Sequence, residues 1–123
     1  MDSIELDVID KKFQKELNAG VSALVLLSVL NKANGSMYGY QIAKLIEESR
    51  EGGSIIKLGT LYPVLRSLED SRLLDSEVEP SVTGPPRRYY RITESGRKAL
   101  KRWTTIWVQT QELVDIHIKG GSR

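Results

Sequence analysis

From Ile4 to Leu17 the apolar residues Leu6, Ile9, Phe13 and Leu17 recur at steps of three and four, the spacing of one helix face. Asn18 and Gly20 are suited to end that helix. Val21 to Ala33 is apolar nearly all round, which predicts a second helix buried in the middle of the fold. Asn34-Gly35-Ser36 reads as a turn, with Ser36 as N-cap of a third helix running from Tyr38 to Glu48. In that helix Ile42, Ala43, Leu45 and Ile46 form the inner face, while Lys44, Glu47 and Glu48 face water. Gly52-Gly53 breaks it, and Ser54 to Lys57 has the composition of a short strand. A fourth helix opens at Gly59-Thr60, where the Thr60 hydroxyl is suited to accept from first-turn amides. Pro63 falls in or near that first turn, where its missing N–H breaks no helical bond. Leu61, Val64, Leu65 and Leu68 supply the buried stripe.

The period then falls to two. Leu74, Ser76 and Val78 alternate with Asp75, Glu77 and Glu79, as in a half-buried strand. Pro80 to Pro86 is a loop rich in turn residues, and Arg87 to Ile92 reads as the returning strand. Thr93 caps a last helix that runs to about Ile118. The expected fold is mainly α (α+β). A winged helix-turn-helix domain over 20–93, its wing about 74–92, follows an N-terminal amphipathic helix over 1–19. A C-terminal dimerisation helix and tail occupy 94–123.

Composition narrows the chemistry. The 123 residues include no cysteine and one histidine, His117, so thiolate and multi-histidine metal sites within one chain are excluded. No phosphate-binding loop or nucleophile elbow is visible, and the chain reads as no enzyme, with no cofactor and no metal. The longest apolar run, Val21 to Leu30, is ten residues, against about 20 needed to cross a bilayer. A cytoplasmic protein with no membrane partner is expected. Charge is uneven: Arg87, Arg88, Arg91, Arg97, Lys98, Lys101 and Arg102 stand against Glu94 alone, a local +6 in a chain whose total is +2. Such a segment suits a polyanion, or is a solvated basic hairpin and helix start.

A winged helix joins these signals. The helix that precedes the wing fits a major groove, and a basic hairpin reaches neighbouring phosphates. Thr60, Tyr62 and Arg66 are then the outward side chains near the start of the recognition helix, with Lys57 and Lys44 flanking it. Arg66 is suited to a phosphate or to guanine O6/N7. Blander readings stand beside these: Tyr62 and Tyr90 as amphipathic core, Lys44 as an exposed helix lysine, and only one of Arg87 and Arg88 facing a duplex.

Three stretches, Tyr38-Gly39-Tyr40-Gln41-Ile42, Gly59-Thr60-Leu61-Tyr62-Pro63-Val64-Leu65 and Gly84-Pro85-Pro86-Arg87-Arg88-Tyr89-Tyr90-Arg91-Ile92-Thr93, followed by Gly96, resemble the PadR family of transcriptional regulators. The resemblance spans about residues 20–100. It implies a winged-helix domain whose C-terminal helix builds a two-fold dimer, usually repressing genes from a palindromic operator. It also implies that Tyr38, Gly39 and Tyr40 open the helix beside the DNA backbone. Thr60, Tyr62 and Pro63 would open the recognition helix, and Gly84, Arg87 and Arg88 would lie in the wing. A winged-helix module that binds only protein is the alternative.

The last helix carries its own seam. Leu100, Trp103, Trp107, Thr110, Val114 and His117 follow at helical spacing, widened by Ile106 and Leu113, and no later element covers them. A second copy of the chain is the simplest partner. The chain is similar to short-tailed PadR members, which implies a planar aromatic effector stacking on Trp103 and Trp107. The competing reading is that both rings only fill the interface.

Overall fold

A computed structural model describes residues 2–33, 35–51, 53 and 56–120. Its elements in chain order are α1 (Ser3–Lys32), β1 (Met37–Tyr38), α2 (Gly39–Glu48), α3 (Leu58–Asp70), β2 (Leu74–Glu79), β3 (Arg87–Ile92) and α4 (Glu94–Lys119). The three strands form one antiparallel sheet in the order β1-β3-β2. The wing pairs Leu74 with Ile92 at its base and Glu79 with Arg87 at its tip. This is a mainly helical α+β winged helix, with the wing strands where alternation placed them.

The two expected N-terminal helices are one. Asn18 and Gly20 do not end α1, which runs unbroken for 30 residues. Asn18 is buried, and its side-chain oxygen accepts from Gln14 Nε2 at 2.8 Å, one turn back, instead of capping a terminus. By length and composition this joined helix could span a bilayer, unlike the ten-residue run alone. Its inner half, however, is the centre of the core. Leu26, Leu27 and Leu30 pack there with Ile42 and Ile46 of α2 and with Leu61, Leu65 and Leu68 of α3. Leu74, Tyr90, Ile92 and Ala99 close the cluster. Each fully buried leucine contributes about 1.5–3 kcal/mol.

The junction around residue 37 also departs from expectation. Met37–Tyr38 is a strand on the outer side of β3, so Ser36 is not the cap of α2. Tyr38 takes that position, and its amide donates to the Gln41 side-chain oxygen at 3.1 Å. Leu45, expected on the inner face, is 47% exposed. Ser54 and Ile55 lie outside the described residues, while Ile56 and Lys57 are not a strand.

Thr60 is not the cap of α3. The helix begins at Leu58 behind Lys57, and the Thr60 amide donates to the Lys57 carbonyl at 2.9 Å. Pro63 is therefore the sixth helical residue, and the Gly59 carbonyl loses the amide it would normally meet. Beyond Asp70, Arg72 takes a left-handed conformation (φ 63°) and the Leu73 amide returns to the Leu68 carbonyl at 2.9 Å, closing the helix end.

The same turn anchors α4. The Thr93 amide donates to the Leu73 carbonyl (3.1 Å), and its hydroxyl donates to the Arg72 carbonyl (2.8 Å) and accepts from the Gly96 amide (3.0 Å). Gly96 lies so close to the Leu73 carbonyl oxygen that no side chain fits between them.

Candidate nucleic-acid interface

The sequence-selected residues of α2, α3 and the wing meet around two tyrosines. Tyr62 lies in the first half of α3, and its ring rests on Gly39 at the start of α2. A β-carbon on Gly39 would stand 2.6 Å from Tyr62 Cε1. A side chain on Gly39 would therefore displace the Tyr62 ring, which is 43% exposed.

Tyr38 is the second focus. Its ring stacks against Tyr40 (centroids 6.4 Å apart) and meets Tyr89 edge-on at 5.4 Å. The Arg87 guanidinium carbon lies 4.5 Å from the Tyr38 ring centre, a cation–π contact that steadies the wing arginine against β1. Tyr89 was not singled out by sequence reasoning. It shares a strand face with Arg87, but its partner Tyr38 belongs to a strand that composition did not reveal.

Arg87 and Arg88 diverge, as strand alternation requires. Arg88 Nη1 donates to Ser76 Oγ at 2.8 Å, and that hydroxyl in turn donates to the Glu69 carboxylate on α3. This three-residue link ties the wing to the recognition helix. Burial raises the Tyr90 phenol above its usual range; Arg88 and Arg66 oppose that shift and Glu69 reinforces it. Tyr90 itself is core, on the strand face that carries Arg88. Arg91 sits 4.0 Å from Asp75 across the wing. At the turn, Gly84 adopts φ +102°, a conformation that favours glycine.

Lys57, Thr60, Pro63 and Arg66 are exposed along α3. Lys44 is exposed too, but lies 4.0 Å from Glu48 and shares a shallow cleft with Glu47, so its charge is locally offset. The fold therefore brings Tyr38, Tyr40, Tyr62 and Arg87 to the adjoining starts of α2 and α3, with Arg66 exposed farther along α3 and Arg88 on the other face of β3. Lys44 stands among carboxylates.

On the opposite side, the α4 seam is divided. Leu100 and Trp103 are half-buried against the chain's own core. Ile106, Trp107, Leu113 and Val114 are 40–59% exposed, and Thr110 and His117 are also exposed. The N-terminal half of α1 leaves Ile4, Leu6, Val8, Ile9, Phe13 and Leu17 open as well. Between these helices lies an apolar cleft of about 420 Å³ walled by Trp103, Trp107, Leu17 and Leu24, among others. Trp107 also borders a second cleft of about 610 Å³ that reaches Leu45 and Ile46 of α2.

Comparison with known proteins agrees with this geometry. The model of the transcriptional regulator PadR-like family matches residues 26–102, more than half of the chain. A transcriptional regulator of Mycobacterium tuberculosis is 42% identical over 79 residues, 63% of this chain and 70% of that protein. The crystal structure of a PadR family transcriptional regulator from Eggerthella lenta superposes with a TM-score of 0.77 at 29% identity, covering 97% of this chain and 100% of that one. PadR of Bacillus subtilis, solved in complex with operator DNA, superposes with a TM-score of 0.59 at 27% identity, over 68% of this chain and 47% of that chain. These are regulators and not enzymes. The chain belongs to the PadR-like family of transcriptional regulators.

Proposed function

We propose that this regulator is a sequence-specific repressor that binds a palindromic operator as a homodimer. The observation that carries the reading is the convergence of α2, α3 and the wing: Tyr62 rests on Gly39, Arg87 lies over Tyr38, and Arg88 is linked through Ser76 to Glu69 of α3. α3 enters the major groove, where Arg66 reads a base edge or grips a phosphate. Tyr38, Tyr40, Lys57, Thr60 and Tyr62 hold the backbone, with Pro63 in the same turn. Arg87 extends to the flanking phosphates with the Gly84 turn, and Arg88 is held back by Ser76. Lys44 adds little, because Glu48 is beside it. That PadR of Bacillus subtilis has been solved in complex with operator DNA supports a DNA-binding role.

The two-fold partner covers the exposed seam of α4 together with the apolar face of α1. Ile106, Trp107, Leu113 and Val114 are its centre, with Thr110 and His117 along the seam. Leu100 and Trp103 back it from the core. A planar aromatic effector enters the cleft beside Trp103 and Trp107, and its stacking there alters the spacing of the two recognition helices.

Genomic footprinting, with sedimentation of the purified protein, tests the reading. The expected result is a dimer protecting inverted half-sites about one helical turn apart. A monomer that ignores every duplex at low ionic strength refutes it. Titration with planar aromatic compounds, followed by tryptophan fluorescence, checks the effector: saturable quenching is expected, and a flat response across a broad panel rejects it.

A further inference from the structure

The inner face of α1 changes character along its length. From Ser22 to Leu30 it is the core of the domain. One to three turns earlier the same side carries Lys11, Gln14, Lys15 and Asn18, where the helix runs past the start of α3. With Lys57 and Thr60 these four residues line one cleft of about 250 Å³. Three lysines from two separate elements therefore line one opening, and no carboxylate lines it among the described residues. The Lys11 ammonium is paired with Asp7 at 2.9 Å, so its charge is partly offset and Lys15 and Lys57 carry most of the positive charge at the cleft. Asn18 is buried and is joined to Gln14, which fixes the amide pair as a polar floor.

A helix overhang that served only to reach a partner subunit would need its apolar outer face: Leu6, Ile9, Phe13 and Leu17. It would gain nothing from lysines on its inner face, since collecting like charges over one opening is unfavourable until an anion arrives. Resting on the DNA-binding reading above, we propose that the Lys11–Lys15–Lys57 cleft seats a backbone phosphate of the bound duplex. The N-terminal overhang of α1 thus becomes a further clamp outside the groove entered by α3. Lys57 belongs both to the recognition helix start and to this cleft, so the two surfaces are continuous. Gln14 and Thr60 supply neutral donors beside the ammonium groups.

The full-length protein with Lys11→Gln and Lys15→Gln tests this. Both side chains are exposed, so the fold should survive, and far-ultraviolet circular dichroism checks that it does. Affinity for a random-sequence duplex of about 30 base pairs is measured against salt concentration, beside wild type and a Lys12→Gln control. Lys12 does not line the cleft. The expected result is that the logarithmic salt slope of the double variant falls by about 1 for each cleft that releases a phosphate, with weaker binding at every salt concentration. Lys12→Gln should leave the slope at its wild-type value.

A double variant with the wild-type slope overturns the proposal while leaving the DNA reading intact. So does a Lys12→Gln effect of equal size, which would reduce the contribution to net charge. A wild-type protein that ignores the duplex sinks the DNA reading instead, and the cleft with it. Inorganic phosphate separates the remaining source. If it raises the wild-type melting temperature but not that of the double variant, while duplex binding is the same for both, the site takes free phosphate and the proposal fails.

Discussion

Replacing Gly39 by alanine puts a methyl group where the Tyr62 ring now rests. The new carbon would lie 2.6 Å from Tyr62 Cε1 and 3.1 Å from its hydroxyl oxygen. Carbon atoms prefer about 3.5–4.0 Å, so the ring must move by about 1 Å or rotate away from its rotamer. That strain costs about 0.5–1.5 kcal/mol, partly offset by up to about 1 kcal/mol of better helix propensity for alanine. The obstacle is a half-exposed side chain with room to swing outward, so chemical denaturation should find stability within about 1 kcal/mol of wild type. DNA binding should suffer more. A phosphate contact from a correctly placed hydroxyl contributes about 1.5–3 kcal/mol, so affinity for the operator should fall about tenfold or more. A cycle with Tyr62→Phe isolates the cause, because two changes acting through one hydroxyl are not additive. Wild-type affinity for Gly39→Ala, or losses that simply add, would refute the idea that this glycine exists to seat Tyr62.

Gly96→Ala is expected to behave in the opposite way. Its methyl group meets the Leu73 backbone carbonyl and stands 2.7 Å from Ile92 Cγ1, neither of which can swing aside. Urea unfolding should therefore show a loss of about 1–3 kcal/mol, and unchanged or greater stability would contradict the geometry. Tyr90 supplies a pH signature. Its folded pKa is raised by burial, so the native state holds the phenol proton longer than the unfolded chain, whose value is 10.0. The sign follows: stability is undiminished below pH 10 and declines as pH rises through and above it. Tyr90→Phe should remove that component of alkaline unfolding, and an unaltered alkaline limb would contradict the assignment.

Periodicity made α2, α3, the wing and α4 legible, because each shows one apolar face of fixed period against a solvated one. The wing strands and the Thr93 cap follow from local rules alone. Asn18 and Gly20 misled because a stop signal competes with tertiary burial. Asn18 finds a partner in Gln14 one turn away and stays in the helix. Thr60 misled for a related reason: a hydroxyl three residues into a helix resembles a cap until the preceding turn is seen to begin at Leu58. β1 was illegible because two residues carry no period, and Met37–Tyr38 is a strand only by virtue of β3. Tyr38, Tyr89 and Arg87 therefore could not be recognised in advance as one cluster.

The residues that make the candidate site specific are those whose neighbours lie far away along the chain. Arg88 illustrates this. On the strand alone it is another wing cation, equivalent to Arg87. In the fold, its bond to Ser76 and the onward bond to Glu69 hold it to α3, while Arg87 leans on Tyr38 beside α2. Ser76 thus ties the wing to α3 through Glu69 with Arg88 holding its hydroxyl, a link that bears on the wing's angle to α3, while Arg87 rests on Tyr38 of β1 within the same sheet. A groove-reading helix and a backbone-gripping hairpin must meet one duplex together, so that angle matters as much as either charge. Net charge alone would make Arg87 and Arg88 interchangeable. These contacts make them unequal: loss of Arg88 should loosen the wing from α3, whereas loss of Arg87 should remove a cation already poised at the edge of the interface.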